Sequence, residues 1–272
     1  MSNHQLATHA RQFRAGALPM VQRIRRVASQ SANTVLATGA RSYPSAALAA
    51  NGFVVQPGFL PPDSVAAIMQ DVGRFADRSI KETGVDRTHL RDRADKQEID
   101  LNVRQLTGAQ HLSRGINELY ASGRIEATMS DLTGRQLAIG GMTVQIDWPD
   151  TRSKRGLHVD SHWPPTYKTF VYLTAVTGPE NGPFSVVPGS HRDRLKKARA
   201  IAGNYLHHRK LTDLHAAYRI SDATCLLGEP GTAIFADQRL AHAGWPGHTT
   251  GTRFMLVAYL YPRDVTAPAF LG

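Results

Sequence analysis

The chain has 272 residues, 42% of them apolar and 20% charged, with a formal net charge of +10 and one cysteine. That balance is globular and affords a sizeable core. A single cysteine, Cys225, excludes a disulfide framework and a cysteine-based zinc site, so any chemistry rests on His, Asp, Glu or hydroxyl groups.

No apolar run approaches the roughly 20 residues of a membrane-spanning helix. The start lacks the apolar core of a secretory signal. The expectation is a cytoplasmic protein with no membrane partner. The positive charge is uneven: six arginines (Arg11, Arg14, Arg23, Arg25, Arg26 and Arg41) precede the first acid, Asp63, which leaves +4 for the remainder. Basic residues interleaved with aromatics, the signature of a nucleic-acid surface, are missing. No nucleic-acid partner is expected.

Residues 1–45 read as a basic N-terminal extension, partly helical over Leu18 to Val27, and residues 46–272 as the main domain. The extension is read as a helix packed on or trailing from that domain, with a targeting segment as the alternative. Asn51 to Val55 reads as a short strand. Pro61-Pro62-Asp63-Ser64 opens a helix capped by Asp63 or Ser64, with Val65, Ile68, Met69 and Val72 on its apolar face. Residues 78–105 are charge-rich and read as a solvated loop. Residues 109–133 read as helical, with Leu112, Ile116, Leu119 and Tyr120 on one side and Gly134 as the stop.

After Gly134 the pattern changes. Leu137–Trp148, Thr169–Val176, Phe184–Val187, Ala223–Leu227, Thr232–Phe235 and Phe254–Tyr261 are short and β-rich, punctuated by Gly, Pro, Asn and Asp. Helices first and strands later imply an α+β domain, mainly β, with helices packed on a β sandwich or barrel.

The chemistry concentrates at His158-Val159-Asp160. On a strand, side chains two apart share a face, so the imidazole and the carboxylate can reach one point. They form two thirds of a facial triad, which leaves three positions open on an octahedral iron(II). His242 follows a strand and turn, and Arg253 opens the last strand, where its fork suits a carboxylate.

These residues, with Asn181-Gly182-Pro183-Phe184-Ser185-Val186-Val187-Pro188-Gly189-Ser190-His191 between them, resemble the phytanoyl-CoA dioxygenase family. The resemblance covers about residues 50 to 262. It implies a double-stranded β-helix, or jelly roll, and oxidation of a small molecule with iron(II), dioxygen and 2-oxoglutarate, releasing succinate and carbon dioxide. It makes His158, Asp160 and His242 the iron ligands and Arg253 the anchor of the keto acid's far carboxylate. Gln145 falls where some members place a polar cosubstrate contact. Thr143 and Gln145 share one face of their strand, which fits a cleft or ordinary exposure equally. Several relatives carry a serine two residues after the distal histidine, where this chain has Gly244. Asp160 stands where halogenating relatives carry a small residue, so hydroxylation of an unactivated carbon is implied.

The other candidates have plainer readings. His162 precedes Pro164-Pro165 and lines the pocket or is exposed. His191 fixes a turn. His207, His208 and His215 fall in a charged helical insertion that reads as a solvated face, or as a lid. Trp163, Tyr172 and Trp245 read as core, or together as an apolar pocket wall, and Cys225 as a buried small hydrophobe. Arg87, Arg91, Arg93 and Arg104 would tolerate an anionic substrate. Desaturation, epoxidation or ring closure, a non-catalytic jelly-roll binding protein, and a zinc hydrolase stay open as rivals.

Overall fold

A computed structural model describes residues 43–77, 90–92, 103–149, 156–160, 167–207 and 213–264. The proposed N-terminal helix, Arg87, Arg93, His162, Trp163 and His208 lie outside the described residues, as do the side chains of residues 90–92.

In chain order the elements are α1 (Ala46–Asn51), β1 (Phe53–Gln56), α2 (Pro62–Val72), β2 (Leu90–Asp92), β3 (Val103–Thr107), α3 (Arg114–Ala121) and α4 (Arg124–Thr133). They continue with β4 (Leu137–Asp147), β5 (Tyr167–Tyr172), β6 (Phe184–Val186), α5 (Arg194–Leu206), β7 (Thr224–Leu226), β8 (Ala233–Asp237), β9 (His242–Gly244) and β10 (Arg253–Pro262). Among the described residues, one sheet has seven strands in the order β1-β8-β5-β10-β4-β3-β2, and a facing sheet has three, β7-β6-β9. Every pairing is antiparallel. This is the double-stranded β-helix expected from the resemblance.

Strand alternation divides the large sheet's side chains between two cores. Val144, Ile146, Val171, Phe235, Leu256 and Ala258 face outward, where they meet Val65, Ile68 and Val72 of α2, Ile116 of α3, and Ile125 and Met129 of α4. Full burial of each large apolar side chain there contributes roughly 1.5–3 kcal/mol. Phe170, Tyr172, Ile234, Ala236, Met255 and Val257 face inward, against Phe184 and Val186 of the small sheet. The helices thus cover one face and leave the interior of the sandwich for a site.

Several local expectations are corrected. Asn51 ends α1 rather than starting a strand, and Gly52 turns the chain at φ 83°. Helix α2 has Pro61 at its N-cap with no side-chain hydrogen bond. Asp63 instead lies in the first turn, where its charge complements the helix dipole. Tyr120 is exposed and Cys225 only partly buried. The charged tract is not all loop, since it contains β2 and β3. Arg104 is 1% exposed. It donates to the carbonyls of Phe75 and Asp77 at 2.9 and 3.0 Å on the helix-covered face, so it is structural and faces no substrate. Within the helical insertion, Lys197 is buried and donates to the Arg239 carbonyl at 2.8 Å. Gly134 ends α4 in the left-handed region, as read from the sequence.

A buried polar knot fastens the turn between β8 and β9. The Tyr43 hydroxyl donates to Asp237 Oδ2 at 2.5 Å, and Arg239 pairs with the same carboxylate and donates to Tyr43 at 2.8 Å. Burial alone would raise the Asp237 carboxyl, but Arg239 outweighs it and holds the group below the usual carboxylate range. Burial pushes the neighbouring His191 imidazole down to about 4. His191 is therefore neutral in the fold and protonates near pH 6.5 in the unfolded chain. Its contribution to stability is complete above about pH 6.5 and is lost as pH falls towards 4, because the unfolded state then binds the extra proton. Melting temperature measured across that window should fall more steeply for the wild type than for His191→Gln. Equal slopes would refute this reading.

Candidate functional site

His158 and His242 lie side by side because their backbones form an isolated antiparallel bridge, each N–H donating to the other's carbonyl at 2.9 Å. Strand β9 supplies His242, and the bridge adds His158 to the edge of the small sheet. Their rings are 4.4 Å apart between centroids. His158 Nδ1 is 2.9 Å from the Gly156 carbonyl and His242 Nδ1 is 2.9 Å from the Leu240 carbonyl. A carbonyl only accepts, so each Nδ1 carries a proton, and in the neutral ring each Nε2 presents the lone pair.

Asp160 completes the cluster: one ligand atom from each of His158, Asp160 and His242 lies within 4.8 Å of the others. Val159, between the two, is buried in a separate apolar cluster on the opposite side. Asp160 Oδ2 is 3.5 Å from His242 Nε2. The same oxygen accepts from Lys168 Nζ at 2.5 Å. Lys168 was not singled out in the sequence. It shares the inward parity of Phe170 and Tyr172 on β5, but only the fold brings it opposite Asp160.

Arg253 is 6% exposed at the start of β10. It pairs in register with Asp147 at the end of β4, and its Nε donates to Asp147 Oδ2 at 3.0 Å. Its Nη2 donates to the same oxygen. Its Nη1 is buried and makes no hydrogen bond among the described residues. Gln145, two residues earlier on the same face, donates to both Asp147 oxygens at 3.0 and 3.1 Å. The polar face of β4 therefore turns inward, away from the helix-covered face. Asp147 was missed, although its parity with Thr143 and Gln145 offered a signal.

Apolar contacts link the two clusters. The Phe184 ring packs 5.5 Å from His242 and 4.1 Å from Phe170. The Phe184 N–H donates to the Tyr172 hydroxyl at 3.1 Å, and that hydroxyl donates to the Leu226 carbonyl at 2.7 Å. Burial raises the Tyr172 phenol to about 12, although Arg253 nearby pulls it the other way. Tyr172 is thus neutral beside Arg253. At Gly244, opposite Phe184, an added Cβ would meet nothing within 4 Å, so space stands where relatives carry a serine.

His191 is buried in the Pro-Gly-Ser-His turn, as expected, while His207 and His215 are exposed. Among the described residues, no second group of three metal-ligating side chains occurs.

A family model described as phytanoyl-CoA dioxygenase matches residues 48–255. No curated protein sequence matches the chain significantly. Among solved structures, HygX from Streptomyces hygroscopicus with nickel and 2-oxoglutarate bound is similar at a TM-score of 0.57 and 18% identity, over 80% of this chain and 86% of that one. The epimerase SnoN in complex with Fe3+, alpha ketoglutarate and nogalamycin RO is similar at 0.57 and 18%, over 83% and 86%. EctD from S. alaskensis with 2-oxoglutarate and 5-hydroxyectoine is similar at 0.57 and 20%, over 80% and 74%. At these identities the likeness carries the fold.

Proposed function

The chain belongs to the phytanoyl-CoA dioxygenase family of iron(II)- and 2-oxoglutarate-dependent oxygenases, and on that premise we propose that His158, Asp160 and His242 hold its iron and Arg253 its keto acid. The observation that carries the assignment is the meeting of two lone-pair imidazoles and one carboxylate within 4.8 Å. Two neutral nitrogens and one anionic oxygen are the donor set for a divalent ion that must keep sites open.

The cosubstrate fits the second cluster on independent grounds. A buried guanidinium nitrogen with no partner costs free energy, and Arg253 Nη1 is such a nitrogen. A carboxylate of 2-oxoglutarate would supply the missing acceptor. Asp147 fixes the plane of the guanidinium by occupying its other edge, and Gln145 fixes Asp147. Gln145 thus acts on the keto acid through Asp147 and Arg253.

Iron(II) bound with 2-oxoglutarate and dioxygen supplies an oxidation that releases succinate and carbon dioxide and delivers oxygen to a C–H bond. The chain's own residues bind and orient. Gly156 and Leu240 hold the imidazole tautomers. Lys168 steadies Asp160 and balances its charge. Phe170, Phe184 and Tyr172 exclude water between the two clusters.

The proposed reaction is hydroxylation of an unactivated carbon in a small molecule. HygX has been solved with hygromycin B bound, which makes a compound of natural-product size a reasonable occupant. The test is substrate-stimulated succinate release from iron-loaded protein across acyl thioesters, amino-acid derivatives and alkaloids, followed by product mass. A gain of one oxygen is expected. A loss of two hydrogens would replace hydroxylation by desaturation or ring closure, and unchanged mass would indicate isomerisation. No succinate with or without any panel compound would overturn the oxygenase reading.

A further inference from the structure

The turn between β8 and β9 is closed by the Leu240 N–H, which donates to the Asp237 carbonyl at 3.0 Å. Asp237 and Arg239 send their side chains to Tyr43, within the helix-covered core. Ile234, Ala236 and Leu240 belong to the interior of the sandwich. Gln238 is a central residue of the turn, between Ala236 and Leu240 and four residues before His242. Ala236 pairs in register with Lys168, whose ammonium touches Asp160. Gln238 thus sits in the short segment that joins the strand position opposite Lys168 to the proposed ligand His242.

Gln238 is 6% exposed, and among the described residues neither its amide oxygen nor its amide nitrogen has a hydrogen-bond partner. A glutamine amide offers two donors and an acceptor. Burying both ends unpaired is costly, and native proteins rarely tolerate it without a reason. Its neighbours do not share this condition: Asp237, Arg239 and the Leu240 carbonyl are all engaged. Among the described residues, the one unsatisfied side chain of the turn is in the segment that leads to His242.

We infer that Gln238 is a substrate-recognition residue, and that the group it receives presents a hydrogen-bond donor and an acceptor side by side. A cis-amide, as in a lactam or cyclic dipeptide, meets that description, and so does a vicinal diol. A purely hydrocarbon acyl chain does not, because it would leave the amide unpaired. Specificity follows from the same energetics, since a buried polar group rejects any analogue that leaves it unsatisfied. The inference rests on the proposed oxygenase site for its location, but not for the state of the amide.

The test has two arms. The first is thermal unfolding of protein without metal or cosubstrate. Gln238→Met conserves volume and removes the orphaned amide, so its melting temperature should rise by about 2–4 °C. A fall, or failure to fold, would mean that the amide is satisfied within the protein, and the inference is lost. The second arm uses cyclo(Gly-Gly) as the cis-amide probe and methyl mannoside as the diol probe. Saturation transfer from wild-type protein to one of them is expected, with at least a tenfold loss in Gln238→Met. Mn(II) loaded into the wild type should broaden the bound probe's resonances. No transfer to either probe, equal transfer in the variant, or a bound probe unaffected by bound Mn(II) overturns the inference. Failure of Mn(II) to bind at all overturns the metal assignment instead.

Discussion

Replacing His158 or Asp160 with alanine is expected to abolish tight divalent-metal binding and substrate-coupled succinate release while leaving the chain folded. The fold should survive because the bridge that joins the two histidines is made by backbone groups at 2.9 Å, which alanine retains. Loss of partners behind metal ligands already costs roughly 10–100-fold in affinity or activity, so loss of a ligand should exceed about 100-fold. Asp160→Ala should be the more damaging. It removes the triad's only negative charge and leaves the Lys168 ammonium, 12% exposed, beside the vacated position. An incoming dication would then meet a like charge at low dielectric. Calorimetric titration with Mn(II) and a succinate assay read the two effects separately. Unchanged metal affinity in either variant would remove His158, Asp160 and His242 as the metal site.

The second large effect concerns Arg253. Its replacement by methionine deprives a 2%-exposed Asp147 of its counter-charge. Breaking one side of a buried ion pair costs about 3–5 kcal/mol, so Arg253→Met should lower the melting temperature markedly. Gln145 still donates to both Asp147 oxygens, which places the cost towards the lower end. Stability and function separate in the double variant Asp147→Leu, Arg253→Met. Removing both charges restores much of the stability, yet no donor remains for the keto acid. Arg253→Lys keeps the charge but loses the planar fork. With about 1.5–3 kcal/mol at stake per charged hydrogen bond, its KM for 2-oxoglutarate should rise roughly 10–100-fold. An unchanged KM in a folded Arg253→Lys protein would place the cosubstrate elsewhere.

These two predictions differ in how far the sequence leads to them. The proposed metal set is legible in part as the spacing of His158 and Asp160, two apart, to which the family resemblance adds His242. Arg253 was legible as a residue type at the start of a strand. Its partner was not named, because Asp147 is 106 residues away and the pairing depends on the register of β10 against β4. Gln145 shows the same limit. Its strand parity was readable, but the direction of that face was settled only when α2, α3 and α4 took the other one.

Charge was the least reliable guide. Arg104 and Lys197 come from tracts whose composition reads as solvated, yet both are buried and donate to backbone carbonyls. Their aliphatic stems and fixed donors suit such anchoring, and nothing in the local sequence marks which cation of a run will take that role.

The sequence by itself determined the kinds of element, the alternation within each strand, and the order in which two histidines, an acid and an arginine appear. Those properties are local, set by backbone periodicity and residue chemistry. Tertiary structure alone decided what stands across from each of them: Lys168 on Asp160, Asp147 on Arg253, and Gln238 buried without a partner. Strand pairing is a long-range choice made by burying whole faces at once, and no short segment contains the information that fixes it.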